Sequence, residues 1–239
     1  MSCQHVTKHH CHGTAYFVGD IHGEYHQLTQ SLAKVGFKPE QGDQLYSVGD
    51  LVDRGKDSAR CLEFLEKPWF HAVKGNHEAM MLEALNGTEA AKELWFSSGG
   101  KWFEQLSSAE QQQLSNRYRA PLNSLPIGME IYVEQQQLTF GVVHADFPFN
   151  HWDAFVQSGN NITEQQLASC LWSRATLRAI NNGNYPDPIT GVDALIMGHT
   201  PHPIFRGHGN RVWLDTGAGY PKGTITILSA HQIVHMLLR

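Results

Sequence analysis

Five short apolar segments of this chain each end in a turn that carries a polar side chain able to bind a metal ion. Four of the segments lead into a glycine, as residues 15–18 do before Gly19. Apolar runs bounded by glycine are typical of buried strands, and glycine lets the backbone turn sharply and approach a ligand closely. We therefore expect five strand ends to meet at one crevice. The polar residues at these ends are Asp20, Asp50, Asn76, His144 and His199.

Helical patterns lie between the first three of these segments. Because strands that alternate with helices are typical of α/β proteins, we expect an α/β fold. Residues 86–123 are polar and rich in Gln, which predicts a helical insertion beside the site, with helices near residues 89–96 and 109–118. The apolar residues at helical spacing are Leu28, Leu32 and Val35, followed by Cys61, Leu62 and Leu65.

One domain is enough for a chain of 239 residues that is 41% hydrophobic, because this length buries a substantial core. We expect a catalytic domain over residues 14–239. Its C-terminal part alternates in polarity and predicts antiparallel strands at residues 212–214, 224–227 and 232–235. Residues 1–13 are rich in His and Cys and are predicted to form a solvated tail that takes up metal only adventitiously.

The composition limits the kinds of binding partner and the cellular compartment that we expect. The formal net charge is -5 and the chain has no block of Lys and Arg, which argues against nucleic-acid binding, since that requires cations to displace counterions. The four cysteines have no CxxC spacing and indicate neither a disulfide framework nor a zinc finger. The first twelve residues lack the apolar core of a secretory signal, and no stretch has the length of a membrane span. We therefore expect a monomeric cytoplasmic protein that binds neither nucleic acid nor a membrane.

The side chains at the strand ends form a mixed set of oxygen and nitrogen donors. Asp20 and His22 are two residues apart, so they lie on the same side of an extended strand end and can hold one cation together. Asp50 has two carboxylate oxygens and can bridge two ions. Imidazole favours transition metals, so the set suits Mn, Fe or Zn better than Mg or Ca. The remaining donors are Asn76, His144 and His199.

Each of these residues is ordinary when taken alone. Asp after glycine is common in turns, and a lone His more often belongs to the core or the surface than to a metal site. Five strand ends in one chain that all carry metal-compatible groups are a far more specific signal. Two metals about 3.5 to 4 Å apart would clamp an in-line displacement at phosphorus.

Seven motifs in this order carry a family resemblance: Gly19-Asp20-Ile21-His22-Gly23, Gly49-Asp50-Leu51-Val52-Asp53-Arg54-Gly55, Gly75-Asn76-His77-Glu78, Gly99-Gly100-Lys101-Trp102-Phe103, His144-Ala145-Asp146, Gly198-His199-Thr200 and Val212-Trp213-Leu214-Asp215-Thr216-Gly217-Ala218. The chain resembles the phosphoprotein phosphatase family of calcineurin-like metallophosphoesterases, in particular the bacterial and bacteriophage lambda-type serine/threonine protein phosphatases. The resemblance runs from about Ala15 to near the C terminus. It implies an α/β fold with two central mixed β-sheets flanked by helices, and hydrolysis of phosphoserine and phosphothreonine in proteins or peptides, with phosphotyrosine left open.

Carried over to the matching positions, the resemblance implies a centre of two divalent metal ions. Mn²⁺ is the expected metal, with Fe or Zn as alternatives. Asp50 would bridge the two ions. Their ligands would be Asp20, His22 and Asp50 on one side, and Asp50, Asn76, His144 and His199 on the other.

The resemblance also implies the groups that act on the phosphate. Arg54 and Arg174 would bind the phosphoryl oxygens, with Arg178 as the alternative to Arg174. His77 would be the general acid, oriented by Asp53. The chemistry agrees, because a phosphate dianion repels hydroxide until cations and arginines offset its charge. A water that bridges two metals has a lowered pKa and can attack directly, and the chain has no GxSxG or Cys-x5-Arg motif for a covalent route.

Two other functions remain open. A symmetrical dinucleoside tetraphosphate hydrolase shares the metal motifs, although Asp53, Arg54 and Glu78 favour the phosphatase because the nucleotide hydrolases differ at those positions. A catalytically dead scaffold that binds phosphoproteins is the second alternative. The complete set of ligands, together with His77 and Asp53, argues against it.

Overall fold

The computed structural model describes residues 5–237. The strands of this part, in chain order, are β1 (Val6–Cys11), β2 (Ala15–Val18), β3 (Gln44–Ser47), β4 (Phe70–Ala72), β5 (Gly128–Val133), β6 (Leu138–Val143), β7 (Ala194–Met197), β8 (Arg206–His208), β9 (Arg211–Trp213), β10 (Asp215–Thr216), β11 (Thr224–Ile225) and β12 (Ile227–Ser229). The α-helices are α1 (Tyr25–Lys34), α2 (Ser58–Cys61), α3 (Asn76–Leu85), α4 (Glu89–Ser97), α5 (Ser108–Ser124), α6 (Trp152–Ser158), α7 (Glu164–Trp172), α8 (Ala175–Asn181) and α9 (Ala230–Leu237). Short 3-10 turns cover Pro39–Gln41, Leu62–Glu66, Gly100–Gln105 and Gly159–Asn161.

Two mixed sheets form the centre of the molecule. The larger has the strand order β1-β5-β6-β7-β9-β8 and the smaller has the order β12-β2-β3-β4, while β10 and β11 form a separate antiparallel pair. In the smaller sheet β2, β3 and β4 are parallel, so their carboxyl ends lie at one edge. In the larger sheet β6 and β7 are also parallel to each other. The predicted pair of mixed sheets is confirmed.

The two sheets pack face to face and helices cover their outer faces. Phe17 of β2 contacts Phe140 of β6 across the interface, with ring centroids 5.0 Å apart. Helices α1 to α5 pack on the smaller sheet through residues such as Leu28, and α6 to α8 pack on the larger sheet through Phe155 and its neighbours. Each such fully buried apolar side chain contributes about 1.5 to 3 kcal/mol. This α–β–β–α layering holds the strand ends rigidly at one side.

The C-terminal segment differs from the prediction. Residues 232–235 do not form a strand but belong to α9. The backbone N–H of Ser229 donates to the Gln232 side chain, and the Gln232 N–H donates to the Ser229 hydroxyl. This reciprocal pair is a capping box. Its Ser-x-x-Gln pattern is present in the sequence and indicates the start of a helix. Ile233 is fully buried in the core between the two sheets.

The predicted N-terminal tail also requires correction where the structure describes it. Residues 6–11 form β1, which pairs in parallel with β5 along its whole length. Val6 and Cys11 are buried, and the polar residues between them are partly or fully exposed. The strand was not recognised in the sequence because its central residues are polar and include two histidines. Residues 1–4, which include Cys3, lie outside the described residues.

His71 on β4 is expected to make the fold sensitive to acid. It stacks on Tyr46, lies beside His9 and shares a 2.9 Å hydrogen bond with Gln44. Burial, together with the His9 imidazole, lowers the pKa of His71 to about 4. Its unfolded pKa is about 6.5, so the neutral ring stabilises the fold above that pH, and this stabilisation is lost as the pH falls towards 4.

Urea unfolding at pH 7 and pH 5 tests this effect. We expect His71→Phe to lose about 1 to 2 kcal/mol less stability between the two pH values than the unmodified protein does. His231→Asn, which changes an exposed histidine on α9, is the control and should show the full loss. Equal losses in all three proteins would contradict the assignment.

Candidate active site

The six predicted metal ligands lie together in one buried cluster. It forms where β2, β3, β4, β6 and β7 end, at the edge shared by the two sheets. The donor atoms of Asp50, His144 and His199 all lie within 4.8 Å of one another, and so do those of His22, Asp50 and His77. His22 Nε2 is 3.7 Å from Asp20 and 3.5 Å from Asp50. Asn76 Oδ1 is 2.8 Å from His144 Nε2 and 3.0 Å from His199 Nδ1.

Backbone carbonyls fix the orientation of the three histidines that are predicted to be ligands. The Nδ1–H of His22 donates to the Val52 carbonyl at 2.9 Å, and that of His144 donates to the Val48 carbonyl at 2.8 Å. His199 donates from Nε2 to the Trp172 carbonyl at 3.1 Å. In each case the other ring nitrogen faces the cluster with its lone pair. This is the arrangement by which a second layer of partners prepares histidine for a metal ion.

The charges of the cluster fit divalent cations. Burial raises the pKa of Asp20, and the nearby Asp215 and Asp50 carboxylates raise it further. Burial also lowers the pKa values of His22 and His144, which favours the neutral imidazole that binds metal. Buried carboxylates in contact with neutral imidazoles need positive charge beside them to stay ionised. Two divalent ions would supply it, and the oxygen and nitrogen donors suit transition metals.

The backbone at the site is held in a conformation that most residues avoid. In the described chain, five of the seven non-glycine residues with positive φ are predicted site residues. Left-handed backbone costs about 1 to 3 kcal/mol at such positions, although Asp and His tolerate it better than most. Strain concentrated in one cluster indicates function. The five are His22, Asp50, Asp53, Arg54 and His199.

Glu78 holds the Asp50 loop in this strained shape. Its buried carboxylate accepts hydrogen bonds from the backbone N–H groups of Asp50, Leu51 and Gly75, at 2.8 to 2.9 Å. Burial and the Asp50 charge raise the pKa of Glu78 to about 7. The sequence marked Glu78 only through its place in a motif, and gave no indication of this backbone contact.

His77 and Asp53 form a tightly bonded pair beside the ligands. His77 Nδ1 is 2.6 Å from Asp53 Oδ2. Burial lowers the pKa of His77, but the Asp50 and Asp53 carboxylates outweigh burial and the net shift is upward. The helical insertion fixes Asp53, because the indole N–H groups of Trp95 and Trp102 both donate to its carboxylate at 2.8 to 3.0 Å. In the sequence, Trp102 is part of the motif at residues 99–103 and Trp95 only belongs to a polar segment, and neither feature indicates a contact with Asp53.

Arg54 lies between the metal ligands and the open cleft. Its guanidinium contacts His22 Nε2, lies 3.0 Å from His77 Nε2 and stacks on the Tyr220 ring at 4.6 Å. Gly99 and Gly219 border it closely. Both have positive φ, and a Cβ at either would come within 2.9 Å of the Arg54 side chain. The insertion and the C-terminal loop therefore enclose this arginine from two sides.

Arg174 also lines this cleft, and its guanidinium donates to the His199 carbonyl at 3.4 Å. Arg178 lies one turn further along, inside α8. The buried Asp146 carboxylate fixes the Arg174 loop by accepting from the Ser173 hydroxyl and from the Thr176 hydroxyl and N–H, at 2.6 to 3.0 Å. In the sequence, Asp146 belongs to the motif at residues 144–146, and nothing there indicates that it holds this loop.

The cleft above the cluster has a volume of about 490 Å³. His77, Arg54 and Arg174 face it, and the partly exposed rings of Trp172 and Tyr220 form parts of its walls. Five of the ten predicted site residues line this cleft, namely Arg54, Asn76, His77, Arg174 and His199. The other five, Asp20, His22, Asp50, Asp53 and His144, are buried next to them.

Trp102→Phe should slow turnover without affecting substrate binding. The change removes the 2.8 Å hydrogen bond to Asp53 and keeps an aromatic ring, so His77 loses orientation. Loss of such a supporting partner costs about tenfold or more, and we expect a loss of this size in kcat, with KM nearly unchanged, on a phosphoserine peptide. Trp69→Phe is the control, because the Trp69 ring packs against Phe37, Phe64 and Phe70 rather than against Asp53. Equal kcat in the two variants would contradict the supporting role of Trp102.

The fold and the site together define a calcineurin-like metallophosphoesterase. The model of the calcineurin-like phosphoesterase family matches residues 13–211, and the chain belongs to this family. The family uses a dinuclear metal centre.

Curated relatives extend the similarity over most of the chain. This chain is 36% identical over 215 residues to serine/threonine-protein phosphatase 2 of Escherichia coli strain K12, and the match covers 90% of this chain and 92% of that protein. It is 36% identical over 205 residues to serine/threonine-protein phosphatase 1 of Salmonella typhimurium, covering 85% and 86%. A symmetrical bis(5'-nucleosyl)-tetraphosphatase of Actinobacillus pleuropneumoniae serotype 5b is 40% identical over 79 residues, which is 32% of this chain and 29% of that protein.

Solved structures show the same fold. A crystal structure provisionally assigned to a diadenosine tetraphosphatase has a TM-score of 0.58 and 20% identity, covering 95% of this chain and 98% of that one. A Saccharomyces cerevisiae protein serine/threonine phosphatase has a TM-score of 0.55 and 15% identity, covering 95% and 83%. At these identities the likeness concerns the fold alone. Within residues 5–237, no helix combines the length and the apolar character needed to cross a bilayer.

Proposed function

We propose that this protein is a metal-dependent protein phosphatase that hydrolyses phosphoserine and phosphothreonine monoesters, with phosphotyrosine left open. The observation that carries the proposal is the His77–Asp53 pair, which lies beside the metal ligands and faces an open cleft. A binding scaffold would not need a histidine held at 2.6 Å by a carboxylate that two indoles fix in turn. The names of the full-length bacterial relatives support the same activity.

The residues divide the chemistry between charge and proton transfer. Two divalent cations, when bound, would offset the phosphate charge and lower the pKa of a bound water so that it can attack phosphorus. Asp20, His22 and Asp50 would hold one, and Asp50, Asn76, His144 and His199 the other. We propose Mn²⁺, with Fe or Zn as alternatives, because the donor set mixes carboxylate, amide and imidazole.

The protein groups that face the cleft bind the phosphate and release the leaving group. Arg54 and Arg174 both line the cleft and donate to the phosphoryl oxygens. His77 gives its Nε2 proton to the departing serine or threonine oxygen, and Asp53 holds the Nδ1–H and stabilises the imidazolium. The partly exposed rings of Trp172 and Tyr220 also line the cleft, and they suit an extended peptide with its phosphorylated side chain directed inward.

Parallel turnover of two substrates tests the proposal. Purified protein loaded with Mn²⁺ should release phosphate from phosphoserine and phosphothreonine peptides with a kcat/KM well above that for diadenosine tetraphosphate. Preference for the dinucleotide would replace the phosphatase with the nucleotide hydrolase. Tight phosphopeptide binding without turnover would indicate the scaffold.

Arg54→Ala should lower the maximal rate and affect KM less. An arginine that fits the transferring phosphoryl group best in the transition state contributes to kcat when present, whereas one that only holds the substrate alters KM alone. Removing one such charged donor costs about 10²- to 10³-fold. Arg60→Ala is the control, since Arg60 stacks on Tyr25 and bonds His26 outside the cleft. An Arg54→Ala enzyme that differs from the control only in KM would refute the transition-state role.

A further inference from the structure

A second cluster of metal-binding side chains lies at the opposite end of the larger sheet. It consists of His10 and His12, at and just beyond the end of β1, and Glu134, just after β5. β1 is parallel to β5, and β5 is antiparallel to β6. The cluster therefore lies at the start of β6, whereas the active site lies at its end, roughly 17 Å away along the strand.

Strand geometry puts the two histidines on one side. Residues two apart in an extended chain point the same way, so His10 and His12 face solvent while Cys11 between them is fully buried. Cys11 donates to the Gly13 carbonyl in the core and takes no part in the cluster. The imidazoles of His10 and His12 therefore meet at the surface beside Glu134, and the Cys11 thiol does not.

The backbone and one ring contact hold the three side chains in register. The Glu134 N–H donates to the Cys11 carbonyl at 3.0 Å. The His10 ring packs edge-on against Tyr132, its partner residue on β5, with centroids 5.2 Å apart. The His10 and His12 rings are 4.2 Å apart.

The donor atoms converge on a single point. Glu134 Oε2 lies 3.6 Å from His10 Nε2 and contacts His12 Nδ1. All three donor atoms lie within 4.8 Å of one another. Two imidazoles and one carboxylate form a facial set for a transition metal, and their exposure leaves the remaining positions to water.

We propose that His10, His12 and Glu134 bind one Zn²⁺ ion, or a transition-metal ion of similar preference, at a site separate from the catalytic centre. The ion would join β1 to the end of β5 and so fasten the edge strand of the larger sheet. The proposal is independent of the catalytic function, because the two sites lie at opposite ends of the sheet.

Zinc titration of the Mn²⁺-saturated protein tests the site, followed by calorimetry and by elemental analysis after gel filtration. Saturation with Mn²⁺ fills the catalytic centre. Any exchange of Mn²⁺ for Zn²⁺ in that centre is the same in all variants, so it cancels when they are compared. We expect the unmodified protein to bind one more Zn²⁺ per chain than His12→Asn or Glu134→Gln. His231→Asn, which changes an exposed histidine on α9, should keep the extra ion.

Two further measurements make the result decisive. Hydrolysis of an aryl phosphate with Mn²⁺ should be the same in all four proteins, which shows that the variants fold. Gel filtration with Zn²⁺ should leave the elution volume unchanged. The proposal is overturned if the extra Zn²⁺ persists in His12→Asn and Glu134→Gln, if the unmodified protein binds no extra ion, or if Zn²⁺ produces a dimer, which would place the ion between chains.

Discussion

Replacing His77 with Asn is expected to reduce the maximal rate on a phosphoserine peptide by about 10²- to 10⁴-fold. A serine alkoxide is a poor leaving group, so its departure depends on a proton. His77 is the group placed to supply it, since the residue lines the cleft, its Nδ1 is bound to Asp53 and its Nε2 lies 3.0 Å from the Arg54 guanidinium. An aryl phosphate with an acidic phenol needs no proton, so the same variant should lose far less activity on that substrate.

Asp53→Asn should show a milder form of the same selectivity. Asp53 contacts His77 and two indoles, and it acts on the substrate only through His77. Bound metal, measured by elemental analysis, should stay near normal in both variants. Equal losses on the alkyl and the aryl ester, with chemistry shown to limit both, would exclude the general-acid role.

Asp50→Asn is expected to remove most of the activity on every phosphate ester. The Asp50 carboxylate lies 3.5 Å from both His22 and His144, one in each half of the cluster. Weakening each metal site by about 10- to 100-fold gives a combined loss of about 10²- to 10⁴-fold. Asn tolerates the positive φ of 52° at this position, so the backbone should be preserved.

Metal content separates this effect from misfolding. Asp50→Asn should lose both ions together, because one carboxylate serves the two sites. Asp43→Asn is the matched control, since Asp43 is also buried but bonds only the Thr14 and Lys38 backbone. An Asp50→Asn protein that kept both ions and a normal rate would disprove the bridge.

The strand ends and the clustering of polar side chains at them were predictable because metal binding restricts residue type more than it restricts sequence context. Apolar runs that lead into Gly19, Gly49 and Gly198 mark both the strand and its turn locally. The requirement for glycine is also local: a Cβ at Gly198 would lie 2.1 Å from the Asp20 carboxylate. Short-range patterns of this kind can be read without knowing the fold.

The support of the site was not predictable, because it depends on distant contacts. Trp95 and Trp102 bond Asp53 across more than forty residues of sequence, and no periodicity reveals which residues such a contact joins. Strand β1 was missed for a related reason. Most of its residues are polar, and it is held in the sheet by backbone pairing with β5, which is more than a hundred residues away in the sequence. The α9 capping box, in contrast, is a local pattern that could have been recognised. The alternating polarity of residues 232–235 favoured a strand instead.

Metal titration tests the central claim of a two-metal phosphatase most directly. Metal-free protein, verified by elemental analysis and carrying His12→Asn to keep the surface cluster out of the count, is titrated with Mn²⁺ while bound ions and phosphopeptide turnover are measured together. We expect no turnover without metal, and full turnover when two ions are bound per chain. Full turnover by metal-free protein, or a maximal rate with a single bound ion, would contradict the account.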